Sequence, residues 1–215
     1  MSDEASTYQP AGAQGEGSDL FSAPDTFYLT HQRIIEEWHA LSRSASNACH
    51  TWMREQVSPA VAEIADELGL EHHYIREGKY RSSLLVIPGT PLSSGHPVIA
   101  LGVGWKYDSI GQLAAGDSGA VYVGARVEPT SGAGAKAREA MLTANGRRIR
   151  EEHSLKHDKY WPAWRYVGLP EQWWTDLDDV LESLCQEVRR QWGLLEAPVR
   201  AGYTAAQEAG SSPST

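Results

Sequence analysis

Cysteine is nearly missing from this chain: only Cys49 and Cys185 occur in 215 residues, far apart in sequence. A disulfide scaffold is not expected, and two isolated thiols cannot make a thiolate zinc site, which needs about four clustered ligands. No apolar run approaches the roughly 18 to 20 residues that a membrane-spanning helix requires. The N-terminus, Met1-Ser-Asp-Glu-Ala5, is acidic where a secretory signal is basic, so the expected compartment is the cytoplasm, with no membrane partner. Positive charge is also short. A formal net charge of -9 repels phosphate backbones and disfavours nucleic acid as a partner. No Walker A loop, glycine-rich dinucleotide fingerprint or paired Cys-x-x-Cys occurs, so no cofactor is expected.

Tryptophan is what the chain has in quantity. Five of its eight, Trp161, Trp164, Trp173, Trp174 and Trp192, crowd one C-terminal stretch. Each carries a large apolar area with one N–H donor, which suits either a core or a docking face.

Residues 1–26 and 199–215 are rich in small and polar residues and are expected to be disordered tails, because they have little to bury against the entropy of ordering. The folded unit is then a single domain over 27–198. From Thr30, a reasonable N-cap, Ile34, Ile35, Trp38, Leu41, Ala45, Cys49, Trp52 and Met53 recur at helical spacing, with an interruption near Ser46-Asn47. Ser58-Pro59 opens a second helix that stops at Gly69. The period then changes to two. Residues 72–77 and 80–87 read as a hairpin, followed by strands over 98–107 and 120–127. Along 98–107 the bulky Ile99, Leu101, Val103 and Trp105 alternate with Ala100, Gly102 and Gly104, a small face that another backbone or a helix can approach. Residues 131–150 suit a helix weakened by Asn145-Gly146, and 165–167 is a short extended piece. The last helix carries the stripe Trp173, Trp174, Leu177, Val180, Leu181, Leu184, Cys185, Val188 and Trp192, with Gly193 as its stop. The fold class is α+β: a mostly antiparallel sheet of three to five strands, packed by a long N-terminal helix and a Trp-rich C-terminal helix.

Chemistry-bearing patterns are weak. Gly116-Asp-Ser-Gly-Ala120 is similar to the nucleophile segment of trypsin-like serine proteases, but no histidine segment accompanies it and turn chemistry alone accounts for it. His153 and His157 stand four apart without a third ligand, so no metal site is expected. Asp176, Asp178, Asp179 and Glu182 meet the positive end of a helix dipole and need no metal. No catalytic residue is assigned.

The stretch Ser82–Ile87, the strand ending Gly104-Trp-Lys-Tyr107 and Tyr160–Val167 with its following amphipathic helix resemble, in layout, an accessory region of PD-(D/E)XK nuclease-superfamily proteins linked to phage defence. That chemistry needs an acid and then Glu-x-Lys on the next strand. Asp117 precedes a strand reading Val121-Tyr-Val-Gly-Ala-Arg-Val127, so the catalytic pattern is absent.

The favoured expectation is a non-enzymatic accessory, inhibitor or adaptor that docks on a larger protein through Trp161, Trp164, Tyr166 and Trp173, in bacterial defence or counter-defence as the resemblance implies. Two alternatives stay open. One is a nuclease-like or hydrolytic domain using Asp117, Ser118 or the histidine pair. The other is a nucleic-acid-binding module using Arg147, Arg148, Arg150, Lys156 and Lys159. The stripe through Trp173, Leu177, Leu181 and Leu184 would also serve a symmetric homodimer.

Overall fold

A computed structural model describes residues 22–106, 121–170 and 172–210. The chain divides into two compact units, Met1–Ser42 and Arg43–Thr215. Helix α1, Ala23–Trp52, begins in the first and ends in the second. Its start lies earlier than Thr30. Ser22 and Asp25 form a reciprocal cap, in which the Asp25 carboxylate accepts from the Ser22 backbone N–H at 2.9 Å and the Asp25 N–H donates to Ser22 Oγ at 3.4 Å. Such a cap satisfies otherwise orphaned first-turn donors. Thr30 instead bonds its hydroxyl to the carbonyl of Thr26, one turn back, and the helix runs unbroken through Ser46-Asn47.

In the second unit, α1 passes through a π turn, Met53–Val57, into α2, Ser58–Glu67. Pro59 breaks nothing here. It brings no N–H, and the turn ahead of it is widened so that the Ser58 N–H bonds Met53 O, five residues back. Gly69, at φ +66°, ends α2 in the left-handed conformation that a glycine adopts without steric cost.

The sheet has five strands in the order β1-β2-β5-β6-β7: β1 Glu71–Glu77, β2 Tyr80–Val86, β5 Ile99–Lys106, β6 Val121–Val127 and β7 Ala163–Tyr166. Every pairing is antiparallel. A two-stranded ribbon, β3 Leu92–Ser93 with β4 His96–Pro97, interrupts the run from β2 to β5. Register assigns the faces. Leu85, Leu101 and Ala125 stand opposite one another, as do Ser83, Val103 and Val123; these point into the main core, against α2, α3 (Gly132–Met141) and the final helix α5 (Leu177–Gly210). Helices therefore pack on the bulky face of β5. The small face admits the backbone of β2 at Gly102, as expected, and the Tyr122 ring at Gly104.

Ser131 caps α3 by accepting the Gly134 N–H at 3.0 Å. Past Met141 the helix is interrupted at Asn145, with φ +65°, and resumes as α4, Arg147–Glu152. Trp173 and Trp174 lie in a 3-10 turn, Trp173–Thr175, ahead of α5, whose cap is Asp176, accepting the Asp179 N–H at 3.3 Å. Contrary to the expected stop at Gly193 and tail from 199, α5 continues across Gly193 and Pro198 to Gly210. Its inner stripe simply changes from large to small residues: Trp192, Leu195, Val199, Gly202 and Ala206 are all buried. At Gly202 the two helices come so close that a β-carbon would lie 2.7 Å from the carbonyl oxygen of Ala137 on α3. Tyr203 adds a hydrogen bond to Pro88 O at 3.2 Å. Leu184 is buried, and Leu177 and Leu181 pack partly buried against the same core.

A buried polar group ties α2 to the sheet: His72 Nε2 lies 2.8 Å from Ser83 Oγ, which donates to Ser58 Oγ at 3.2 Å. Burial, aided by the neighbouring His73 charge and opposed by Asp66, holds the His72 pKa below the ordinary 6.5. His50 accepts the Trp105 indole N–H at 3.2 Å, and burial with Arg81, Arg54 and Arg76 lowers its pKa as well.

Two outcomes follow from this packing. Gly202→Val is expected to destabilise the protein by about 1–3 kcal/mol through overpacking against α3, measured by denaturant unfolding; a neutral result would show the end of α5 to be the expected tail after all. Because folding lowers both imidazole pKa values, the unfolded chain protonates first as pH falls. Stability is full above about 6.5, drops as pH is lowered through that value, and levels off below the folded-state pKa values. The denaturation midpoint should fall between about pH 7.5 and 5.5 and do so less in His72→Gln; an undiminished fall in that variant would assign the effect elsewhere.

Candidate functional site

The face of the sheet opposite the helices is built around missing side chains. Tyr80, Lys106, Gly104, Tyr122 and Tyr166 share that face through the register pairs Tyr80↔Lys106, Gly104↔Tyr122 and Tyr122↔Tyr166. Gly102 and Gly124 pair beside them, with Trp164 next to Gly124. A β-carbon at Gly104 would strike the Tyr122 ring, and one at Gly124 would strike the backbone of β7. The glycines thus let Tyr122 lie over β5, where Trp161 meets its ring edge-on at 4.8 Å and Trp164 at 5.5 Å. Trp164 in turn meets Tyr166 at 4.8 Å. Burial pushes the pKa of the Tyr122 hydroxyl upward.

The segment between α4 and β7 is shaped by its own backbone. Lys156 exchanges two main-chain hydrogen bonds with Trp164, at 2.6 and 3.0 Å. Asp158 Oδ1 accepts the N–H groups of both Tyr160 and Trp161 at 2.8 Å, a side-chain-to-backbone turn typical of aspartate. This fold sets Trp161 inward and Lys156, Lys159 and Tyr160 at the rim. Lys156 Nζ sits 4.3 Å over the Tyr166 ring and Lys159 Nζ 5.5 Å over Tyr160, while Lys79 Nζ lies 5.8 Å over Tyr80 on the β1–β2 turn.

Tyr80, Tyr122, Trp161, Trp164 and Tyr166 line a hollow of about 730 Å³ with Lys79 and Lys159 at its edge, and Lys156 lies just outside it. Arg126 also lines it, although only 3% of that residue is exposed. Its Nη2 reaches Glu77 Oε2 at 3.2 Å and Glu128 Oε2 at 3.5 Å, and Glu128 is further held by the Thr130 hydroxyl at 2.6 Å. Arg126 Nη1 and Trp164 Nε1 are buried donors with no acceptor among the described residues. Among the described lining residues there are four cations, Lys79, Lys106, Arg126 and Lys159, against two acids, Glu77 and Asp158, in a chain whose net charge is -9.

Of the four residues expected to dock a partner, the structure gathers Trp161, Trp164 and Tyr166 in this hollow. Trp173 lies elsewhere: it is buried in the main core on the other side of the sheet, 5.7 Å from the Trp52 ring. The expected basic segment is also divided. Arg147, Arg148 and Arg150 belong to α4, where Arg148 pairs with Glu152 at 3.7 Å and Arg150 with Glu151 at 3.9 Å. Lys156 and Lys159 belong to the aromatic face. His153 ends α4 and His157 lies beyond it, so they share no helix; among the described residues no three His, Cys, Asp or Glu gather to hold a metal. Asp117 and Ser118 lie outside the described residues. Cys49 and Cys185 are free, and burial raises both thiol pKa values, which leaves little nucleophilic thiolate. No described helix is long and apolar enough to cross a membrane.

Tyr80, Tyr122, Arg126, Lys79 and Lys106 escaped the sequence reading. Two signals pointed to them. Lys-Tyr recurs at 79–80, 106–107 and 159–160, and all three lysines line the hollow; Tyr107 itself is outside the described residues. Along β6, Tyr122, Gly124 and Arg126 alternate with valine and alanine, which places a cation and an aromatic on one face around a residue without a side chain.

Arg126→Ala should cost about 3–5 kcal/mol in denaturant unfolding, because it strands the buried Glu128 carboxylate. Glu77→Ala should cost no more than about 1 kcal/mol, since the Glu77 side chain is 51% exposed. Equal losses would show that Glu77, not Glu128, anchors the arginine.

No family model matches this chain, nor does any curated protein or solved structure.

Proposed function

We propose that this protein is a non-catalytic binding module, acting as an accessory, inhibitor or adaptor, which holds a segment of a larger protein in the aromatic hollow. The observation that carries this reading is the convergence of Trp161, Trp164, Tyr166, Tyr122, Tyr160 and Tyr80 around one concavity of about 730 Å³. Pockets that capture ligand groups commonly span about 300–1,000 Å³, and Trp, Tyr and Arg are the residues that dominate binding energy at protein interfaces. Their arrangement also suits anchoring. Trp161 is buried and rigidly held, whereas Tyr80 and Tyr160 stand exposed at the rim, so a partner side chain meets a fixed floor and an accessible edge.

Catalysis finds less support in the same residues. Glu77 is engaged with Arg126, and Asp158 spends an oxygen on two backbone N–H groups. A general base must be within reach of a substrate proton and available to take it, and neither carboxylate is placed for that work.

The test is photo-crosslinking in the native host. Tyr160→p-benzoylphenylalanine should capture a discrete protein, and adding Tyr166→Ala should reduce the yield by about tenfold, the loss of roughly 1.4 kcal/mol. The same photo-reactive residue at Leu92, exposed on β3, should capture none of it. Equal capture from both positions, or capture of nucleic acid alone, would contradict the docking reading.

A further inference from the structure

We infer that the segment taken into the hollow is acidic, an extended stretch of a partner protein carrying carboxylates beside an aromatic residue. The inference rests on the docking reading and adds the chemistry of the partner.

Charge gives the first argument. Among the described residues, four cations and two acids line a hollow in a chain of net charge -9, a local excess of positive charge that favours an anionic group. Neither acid is idle: Glu77 binds Arg126 and Asp158 closes the turn before Trp161. Among the described residues, Lys156 and Lys159 have no carboxylate within ion-pair distance, and they rest over tyrosine rings. A cation over an aromatic face is only weakly satisfied, by about 0.5–1 kcal/mol at exposed sites, and is available to a carboxylate.

Unused donors give the second. Arg126 Nη1 and Trp164 Nε1 are buried without an acceptor among the described residues, although each residue lines the hollow. Buried donors left without acceptors are costly and rare. An ionised carboxylate is acceptor-only and bonds strongly to a guanidinium, so an acidic side chain that reaches Arg126 Nη1 supplies the acceptor it lacks. The aromatic floor takes the apolar neighbour of that side chain.

A polyphosphate is the other anion to weigh, and the layout favours protein. Single-strand binders need a cationic groove that tracks a long backbone, but Arg148 and Arg150 outside the hollow are matched by glutamates. A short acidic segment needs only the hollow.

Fluorescence anisotropy with the full chain distinguishes these cases, using labelled, length-matched peptides of Glu and Tyr, of Gln and Tyr, and of Lys and Tyr, alongside oligothymidylate. The Glu–Tyr peptide should bind at least about tenfold more tightly than the others. Its affinity should fall as salt rises from about 50 to about 300 mM, and should drop about tenfold in Lys156→Gln/Lys159→Gln. Those two lysines are surface groups whose loss leaves the fold intact, which circular dichroism checks. Equal binding of the Gln–Tyr peptide overturns the acidic preference while leaving docking in place. Tighter binding of the Lys–Tyr peptide, binding by no peptide, or stronger lysine-dependent binding of oligothymidylate overturns the inference too. The docking reading itself is judged separately by the Tyr160 crosslink.

Discussion

The ring of Tyr122 lying in the space that Gly104 leaves empty is the contact on which the outer face depends. A side chain at Gly104 would evict it. With Tyr122 in place, Trp161 and Trp164 close on it edge-on and join β6, β7 and the segment before β7 into one aromatic layer. Edge-on pairs of this kind are worth about 0.5–1.5 kcal/mol beyond burial. Because Trp161 is fixed by that layer and by the Asp158 turn, the neighbouring Lys159 and Tyr160 are fixed as well, and the hollow has a wall. The strand whose Gly102 and Gly104 lack side chains outward carries bulky ones inward: Leu101, Val103 and Trp105 are completely buried against the helices. One strand thereby gives the sheet a face packed by helices and a face that carries the aromatic hollow.

That division accounts for the electrostatics. Charge buried in a sheet must be paired, and the buried charged residues among those described are held in this way: Arg126 pairs with Glu128, and Arg81 donates to the carbonyls of Gly78 and Tyr80. On the outer face cations gather where aromatic rings soften their exposure, and acids are consumed by structural contacts. Among the described residues the result is an excess of cations in the hollow of an acidic protein, with a reach on the order of the 8 to 10 Å over which salt screens exposed charges.

Much of the architecture was legible in local pattern. The period-two alternation over 98–107 and the Glu77-Gly78-Lys79 turn placed β5 and the first hairpin within a residue or so of Ile99–Lys106 and of Glu71–Glu77 with Tyr80–Val86. Alternation is a direct consequence of strand geometry and survives without knowledge of neighbours. What failed were inferences from single residues and from composition. Gly193 and Pro198 read as an ending, yet α5 passes both because Trp192, Leu195, Val199, Gly202 and Ala206 keep one stripe buried, and tertiary packing outweighs propensity. The stripe was hidden because its last members are small, which close approach to α3 requires. The tryptophans showed a related limit. Trp161 and Trp173 stand twelve positions apart in sequence and both are buried, but they sit on opposite faces of the sheet, and only strand register decides that. Register also brings Tyr80, Lys106 and Tyr122 together from three strands, information that no single segment contains.

If the two aromatic clusters do separate work, their tryptophans should fail separately. Denaturant unfolding of Trp173→Ala and Trp164→Ala, run side by side, tests this most directly. Trp173 fills the main core beside Trp52, and its loss should cost about 3–5 kcal/mol, as for large core truncations. Trp164 is only partly buried and its indole N–H has no acceptor among the described residues, so its loss should cost clearly less and leave a folded protein that no longer holds its partner. Comparable destabilisation by the two substitutions would mean that the outer aromatics are a second core, and would contradict the account.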